Sequence, residues 1–287
     1  MSDSALTPFK AAFRLTKLLN EFSNVHSGQR FPVDVESLAK HCHEVFRWSD
    51  PVAKVHGAYI QGFDGYLTTL GSGKGWAIVY NNALPSEGRI RFTLAHELGH
   101  YVVHRTLKTE FMCTGNDMDD WQAADRNIET EADLFAANLL MPLDDFKPRI
   151  VNDDVFRQIA ECAEVYGVSL TAAALRWISA TEKKALLVAS NDGFIRWASS
   201  SDTARQAGAF FRTRGRINEL PSRSLAADKN ILRELDGASL PANVWFPKAH
   251  ADTKLREMKI VSEQYGTLSL LILPSTADVW GPWNAEN

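Results

Sequence analysis

The spacing of apolar and polar positions divides the chain into stretches of different period. Near the start, Thr7-Pro8 has the form of an N-cap followed by a first helical position. Phe9, Phe13 and Thr16 then recur at helical spacing, so a helix is expected to about Phe22. Asp34 can cap a second, short helix carrying Val35, Leu38 and Cys42, with Pro32 just upstream fixing the entry. Between Val52 and Asn81 the texture changes to short β-rich segments, Val55–Ile60, Tyr66–Leu70 and Trp76–Tyr80, separated by glycine-containing turns. These predict a three-stranded antiparallel sheet. A long helix is expected from about Arg89 to His104 with Ser86 as its cap, and a second from about Asp120 to Met141 that stops at Pro142. The loop between them carries Cys113, Gly115 and several aspartates.

Beyond Pro142 the helical period returns in Val155–Tyr166 and Leu170–Ser179, and the intervening Gly167-Val168-Ser169 gives a helix-turn-helix-like spacing. From Lys184 the period is β again. Ala185–Ser190, the turn Asn191-Asp192-Gly193 and Phe194–Ala198 form a hairpin signal, and Met258–Val261 and Thr267–Leu273 supply later strands. The fold class is therefore α+β, with two expected domains: residues 1–180, including the helix-turn-helix-like region at 155–179, and a small C-terminal α+β domain over 184–287.

Composition narrows the function classes. Charged residues are 23% and apolar residues 45%, which supplies enough apolar side chains for a core and excludes disorder of the whole chain. A net charge of −4 gives no general attraction to a phosphate backbone, so direct nucleic-acid binding is not expected. The one local basic stretch, Arg205, Arg212, Arg214, Arg216 and Arg223, reads as a solvated face or partner-docking surface. The longest apolar run, Leu268–Leu273, is far too short for a bilayer, and no membrane partner is expected. The start of the chain lacks a basic, apolar leader pattern, so a cytoplasmic location is expected. Three separated cysteines, Cys42, Cys113 and Cys162, fit reduced thiols better than a disulfide framework.

Against that background, His96-Glu97-Leu98-Gly99-His100 stands out. Its imidazoles are four residues apart on one helical face, where both can reach a single ion, and Glu97 beside them can take a proton from an activated water. A hydrolytic site needs a third protein ligand and an open position. The second long helix offers Glu129 as that ligand, and Asp133, one turn on, can accept the remaining N–H of a ligand histidine as a second layer of support. Glu131 is rotated away and reads as a solvated or locally paired carboxylate. Gly99 and the facing Ala132, Ala136 and Ala137 allow the two helices to approach closely.

Other candidates rank lower. His104 reads as a packing or solvent residue, Cys113 as an ordinary loop thiol in preference to a thiolate capping the open metal position, and His41 and His43 as surface residues pointing in divergent directions. Tyr101 and Tyr80 are the candidates for stabilising an oxyanion. Two imidazoles and a carboxylate suit zinc and also accept manganese or cobalt.

Arg91–Tyr101 followed by Ile128–Pro142 closely resembles the ImmA/IrrE family of bacterial metallopeptidases, over about residues 30 to 180. The resemblance implies a minimal gluzincin-like peptidase fold with His96 and His100 as ligands, Glu97 as base and Glu129 as third ligand. It also implies intracellular, site-specific cleavage of a helix-turn-helix transcriptional repressor in a stress or mobile-element response. The C-terminal region is not assigned by it, and a small-molecule or protein partner is expected there. The competing expectation is a DNA-binding or ligand-sensing regulator in which the metal is structural. Its second helix, Leu170–Trp177, carries one basic residue and few side chains able to read base edges.

Overall fold

The protein is described from a computed structural model that covers residues 6–71, 73–113, 123–151, 153–262 and 266–280. The expected helix start near Asp120, and Gly115 with its neighbouring aspartates, lie outside the described residues. The chain divides into two units, Met1–Val151 with Ala160–Ala173, and Asn152–Ile159 with Ala174–Asn287. Among the described residues, no helix is long and apolar enough to cross a membrane.

The first unit opens with α1 (Pro8–His26), where the Thr7 hydroxyl accepts from the Lys10 amide, and α2 (Val35–Phe46), capped by Asp34 accepting from Ser37. Strands β1 (Val52–Ala58), β2 (Gly65–Thr69) and β3 (Trp76–Asn81) follow, then α3 (Glu87–Gly99), capped by Ser86. α3 passes directly into one π-helical turn, His100–His104. Next come β4 (Glu110–Cys113), α4 (Ala123–Leu140) and the short α5 (Leu143–Phe146). α6 (Val155–Tyr166) and α7 (Leu170–Ala180) run across the division between the units.

The sheet differs from the expected one in two respects. It has four strands in the order β1-β3-β2-β4, and β1 runs parallel to β3 while β2 is antiparallel to both β3 and β4. The chain reverses at residues 59–64 and again at 70–75, so the first and third strands point the same way. Once they become neighbours they can pair only in parallel. The Asn81 side chain holds the first reversal by donating to the carbonyls of Ile60 and Phe63. β4 then covers the side of β2 that the sequence left open.

On α1 the helical period is present, but Phe9 and Phe13 are 53% and 60% exposed, and the buried face is Ala11, Ala12, Leu15 and Thr16. α1 packs on α4, whose buried residues include Ala132, Phe135, Ala136 and Leu139. Small side chains let the helix backbones approach, which large ones at the same positions would prevent.

The second unit is an antiparallel sheet of six strands, β5 (Lys184–Asn191), β6 (Phe194–Ser200), β7 (Asn218–Glu219), β8 (Arg233–Pro241), β9 (Lys254–Ser262) and β10 (Gly266–Leu273), in the order β7-β6-β5-β10-β9-β8. A short α8 (Asp202–Gln206) follows β6. The expected hairpin is the β5–β6 turn, where Asp192 and Gly193 take φ of 50° and 83°. The core gathers Leu186, Val188, Ile195, Trp245, Phe246, Leu255 and Leu271. Two buried charges on β9 are held by hydrogen bonds. Glu257 accepts from the amides of Leu225 and Ala226 and from the Trp245 indole, and Lys259 donates to the carbonyls of Leu225 and Asp228.

Candidate metal centre

α3 and α4 carry the site, and glycine sets their separation. A Cβ at Gly99 would stand 3.1 Å from the Ala132 carbonyl and 3.2 Å from its Cα, so any larger residue would have to push backbone. At that approach the side chains predicted to meet do meet. His96 Nε2 is 2.9 Å from Glu129 Oε2 and 3.0 Å from His100 Nε2, and His100 Nε2 is 3.3 Å from Glu129 Oε1. Tetrahedral ligands on bonds of ~2.0–2.1 Å stand roughly 3.3 Å apart, so the donor spacing fits a single divalent ion.

The hydrogen bonds behind these atoms fix which nitrogens are free to bind. His96 Nδ1 is 2.9 Å from Asp133 Oδ1, which holds the proton there and leaves Nε2 outward. His100 is served by a relay absent from the sequence reading: its Nδ1 meets His104 Nδ1 at 3.2 Å, and His104 Nε2 meets Glu131 Oε2 at 2.9 Å. With Glu131 accepting from His104 Nε2, His104 Nδ1 is the acceptor and His100 Nδ1 the donor, so His100 Nε2 presents its lone pair. His104 follows His100 by four residues within the π turn, one turn on, so the two rings can meet. His104 is thus a buried support for a ligand, not a solvent residue, and Glu131 is its partner. Phe111 of β4 stacks on the His100 ring at 4.6 Å.

Glu97 is fully buried and neither carboxylate oxygen has a hydrogen-bond partner among the described residues. Burial pushes its carboxyl up to about 8, with His96 opposing and Glu129 adding to the rise. β2 presses on it: a Cβ at Gly65 would lie 2.5 Å from Glu97 Oε1 and 2.7 Å from the Thr93 methyl. Glu129 is pulled down to about 2, because the bonds from His100 and His96 outweigh its burial. Burial drives His100 down to about 4 despite Glu129, whereas His96, pulled down by burial, is raised well above its usual value by Asp133, Cys113 and Glu129.

Cys113, read as an ordinary loop thiol, is instead the last residue of β4, opposite Gly65, and its Sγ lies within 4.8 Å of ligand atoms of both His96 and Glu129. Burial raises the thiol, with the His96 contact pulling the other way. The one-dimensional pattern raises Cys113 and His104 only as lower-ranked candidates and does not announce Gly65, since each reaches the site through strand pairing or the irregular turn. Tyr101, by contrast, leaves the candidate list. Its ring is buried among Trp48 and Trp76, and its hydroxyl donates to the Asp50 carbonyl at 2.8 Å. Tyr80 lies across Gly57 of β1. The ring nitrogens of His41 and His43 sit against carbonyls of their own helix.

In the second unit, Arg205, Arg212, Arg214 and Arg216 line an open hollow of about 650 Å³ with Phe210 and Phe211. Arg223 is not part of it. Arg176, the single basic residue of α7, is 5% exposed.

Two histidines one turn apart, a carboxylate from a facing helix and a buried, unpaired glutamate define a metal-hydrolase type of centre. Residues 54–177, which contain all of these groups, match the family Peptidase_M78, the IrrE N-terminal-like domain. Residues 54–177 are therefore similar to metallopeptidase domains of the ImmA/IrrE type, and the α+β architecture fits a gluzincin-like fold. No curated protein matches the chain.

Proposed function

We propose that the chain is a zinc-dependent endopeptidase in which His96, His100 and Glu129 hold the ion, Glu97 is the general base and Asp133 orients His96. The observation that carries this reading is the convergence of two imidazole Nε2 atoms and both Glu129 oxygens at contacts of 2.9–3.3 Å, beside a buried carboxylate with no partner among the described residues. An ion held there would polarise the scissile carbonyl and acidify water at its open position. Glu97 takes the proton from that water and returns it to the leaving amine; its burial, which lifts its affinity for a proton toward neutral pH, suits both transfers. Glu129 remains a carboxylate throughout, and the Asp133 and His104 contacts keep both imidazole protons away from the reacting centre.

An extended substrate adds to a sheet edge through main-chain hydrogen bonds. β4 supports this role, since it is an outer strand of the described sheet and its Cys113 lies at the site. The substrate we assign is a helix-turn-helix repressor cut at one site inside the cytoplasm, in a stress or mobile-element response, because the matched domain is of the IrrE type. The basic hollow of the second unit is the place for a small-molecule or protein partner. The test pairs metal analysis with incubation against repressors encoded nearby. Glu97→Gln is expected to retain one equivalent of zinc and lose cleavage by at least about a hundredfold. Full cleavage by that variant removes Glu97 from the mechanism, and absence of stoichiometric metal in the wild type removes the peptidase reading.

A further inference from the structure

The donor set around His96 is larger than a hydrolytic site requires. Beyond two imidazoles and Glu129, the Cys113 sulfur lies within 4.8 Å of ligand atoms of His96 and Glu129. It is fixed there by the sheet, because Cys113 pairs with Gly65, and Gly65 is the residue whose close approach confines Glu97. The second observation is Glu97 itself, a fully buried carboxylate without a hydrogen-bond partner among the described residues. The sulfur and the orphan carboxylate thus both belong to the surroundings of His96 and Glu129.

We infer that Cys113 is a fourth, displaceable ligand that holds the metal centre in a latent state. This inference rests on the metal-site reading above and adds a regulation to it. Closed four-ligand sites with nitrogen and sulfur donors are the form zinc takes when it is structural, whereas hydrolytic sites keep one position open. Cys113 occupying that position and water occupying it are mutually exclusive, so one sulfur decides between the two. On loading, the Cys113 S–H bond breaks, a sulfur–metal bond forms and the proton leaves to solvent. On release, the sulfur–metal bond breaks, the thiol regains a proton from solvent and water enters. Neither step needs an oxidant. Because Cys113 ends an edge strand, anything that adds to or pulls on β4 acts directly on this ligand.

Cobalt(II) loaded into the full chain reads the proposal spectroscopically. The wild type is expected to bind one equivalent and show a near-ultraviolet sulfur-to-cobalt charge-transfer band. Cys113→Ala is expected to keep the equivalent of cobalt and lose the band. Alkylation followed by mass spectrometry gives a check without substitution: Cys113 is expected to react roughly tenfold or more slowly in the metal-loaded chain than after chelation. One equivalent of cobalt lost on changing His96, with no sulfur band and no protection of Cys113, overturns the latent-ligand proposal and leaves the metal site standing. Failure to bind stoichiometric cobalt at all, or binding indifferent to His96 and Glu129, overturns the site reading together with it.

Discussion

At His96 the two ring nitrogens have separate duties. Nδ1 is committed to Asp133 and Nε2 faces Glu129, so the orientation of the ring is settled before any ion arrives. His100 reaches the same condition through His104 and Glu131. Replacing His104 with phenylalanine should preserve the packing on Phe111 but release the His100 tautomer. A 10- to 100-fold loss of zinc affinity in a competition titration is then expected, with helical content by circular dichroism unchanged. Gly65→Ala should displace the Glu97 carboxylate and lower turnover more than it raises KM, since the base is moved and the ligands are not. The titrating groups also predict the behaviour of the chelated protein. His96 and Glu97 hold protons more tightly folded than unfolded, so their contribution to stability is complete below 6.5 and 4.5 and disappears as pH rises, through about 8 for Glu97. His100 and Glu129, lowered to about 4 and about 2, have the opposite sign but act only below 6.5 and 4.5. The melting temperature of the chelated protein should therefore fall between pH 6.5 and 8.5, a decline that scanning calorimetry across that range will detect.

Single positions act through the elements that hold them, and here α3 and α4 matter most. Helix propensity alone would make Gly99→Ala stabilising by about 1 kcal/mol. The Ala132 backbone at 3.1–3.2 Å from the added methyl makes the substitution an overpacking, with a cost of ~1–3 kcal/mol. The second effect is larger, so a net loss in urea unfolding is expected, together with weaker zinc binding. The helical periods made His96, His100, Glu129 and Asp133 legible in the sequence, since a shared helix face is a local property. β4, Cys113 and the parallel β1–β3 pair were not, because strand neighbours are chosen by tertiary contact and no residue within Glu110–Cys113 marks its partner. Phe9 and Phe13 illustrate the same limit. Their spacing gave the helix, but which of its faces is buried depended on the alanines that fit α4. In the second unit, Glu257→Ala leaves two amides and an indole N–H without their acceptor. At about 1–3 kcal/mol for each unsatisfied group, it should lower stability by several kcal/mol in denaturant titration.

Across the molecule, a net charge of −4 and the burial of Arg176 leave α6 and α7 without the cationic face that a duplex requires. A gel-shift with nonspecific DNA at physiological salt should show no retardation. The turn between these helices is engaged elsewhere. A Cβ at Gly88, in the first turn of α3, would lie 2.6 Å from the Ser169 amide, and Arg91 donates to the Gly167 carbonyl. The helix bearing the two histidines is thereby moored at its origin to the very bend that resembles a DNA reader. A motif shape that elsewhere faces outward serves here as an internal strut, so disturbance of the bend would be felt first as a tilt of the helix that bears His96.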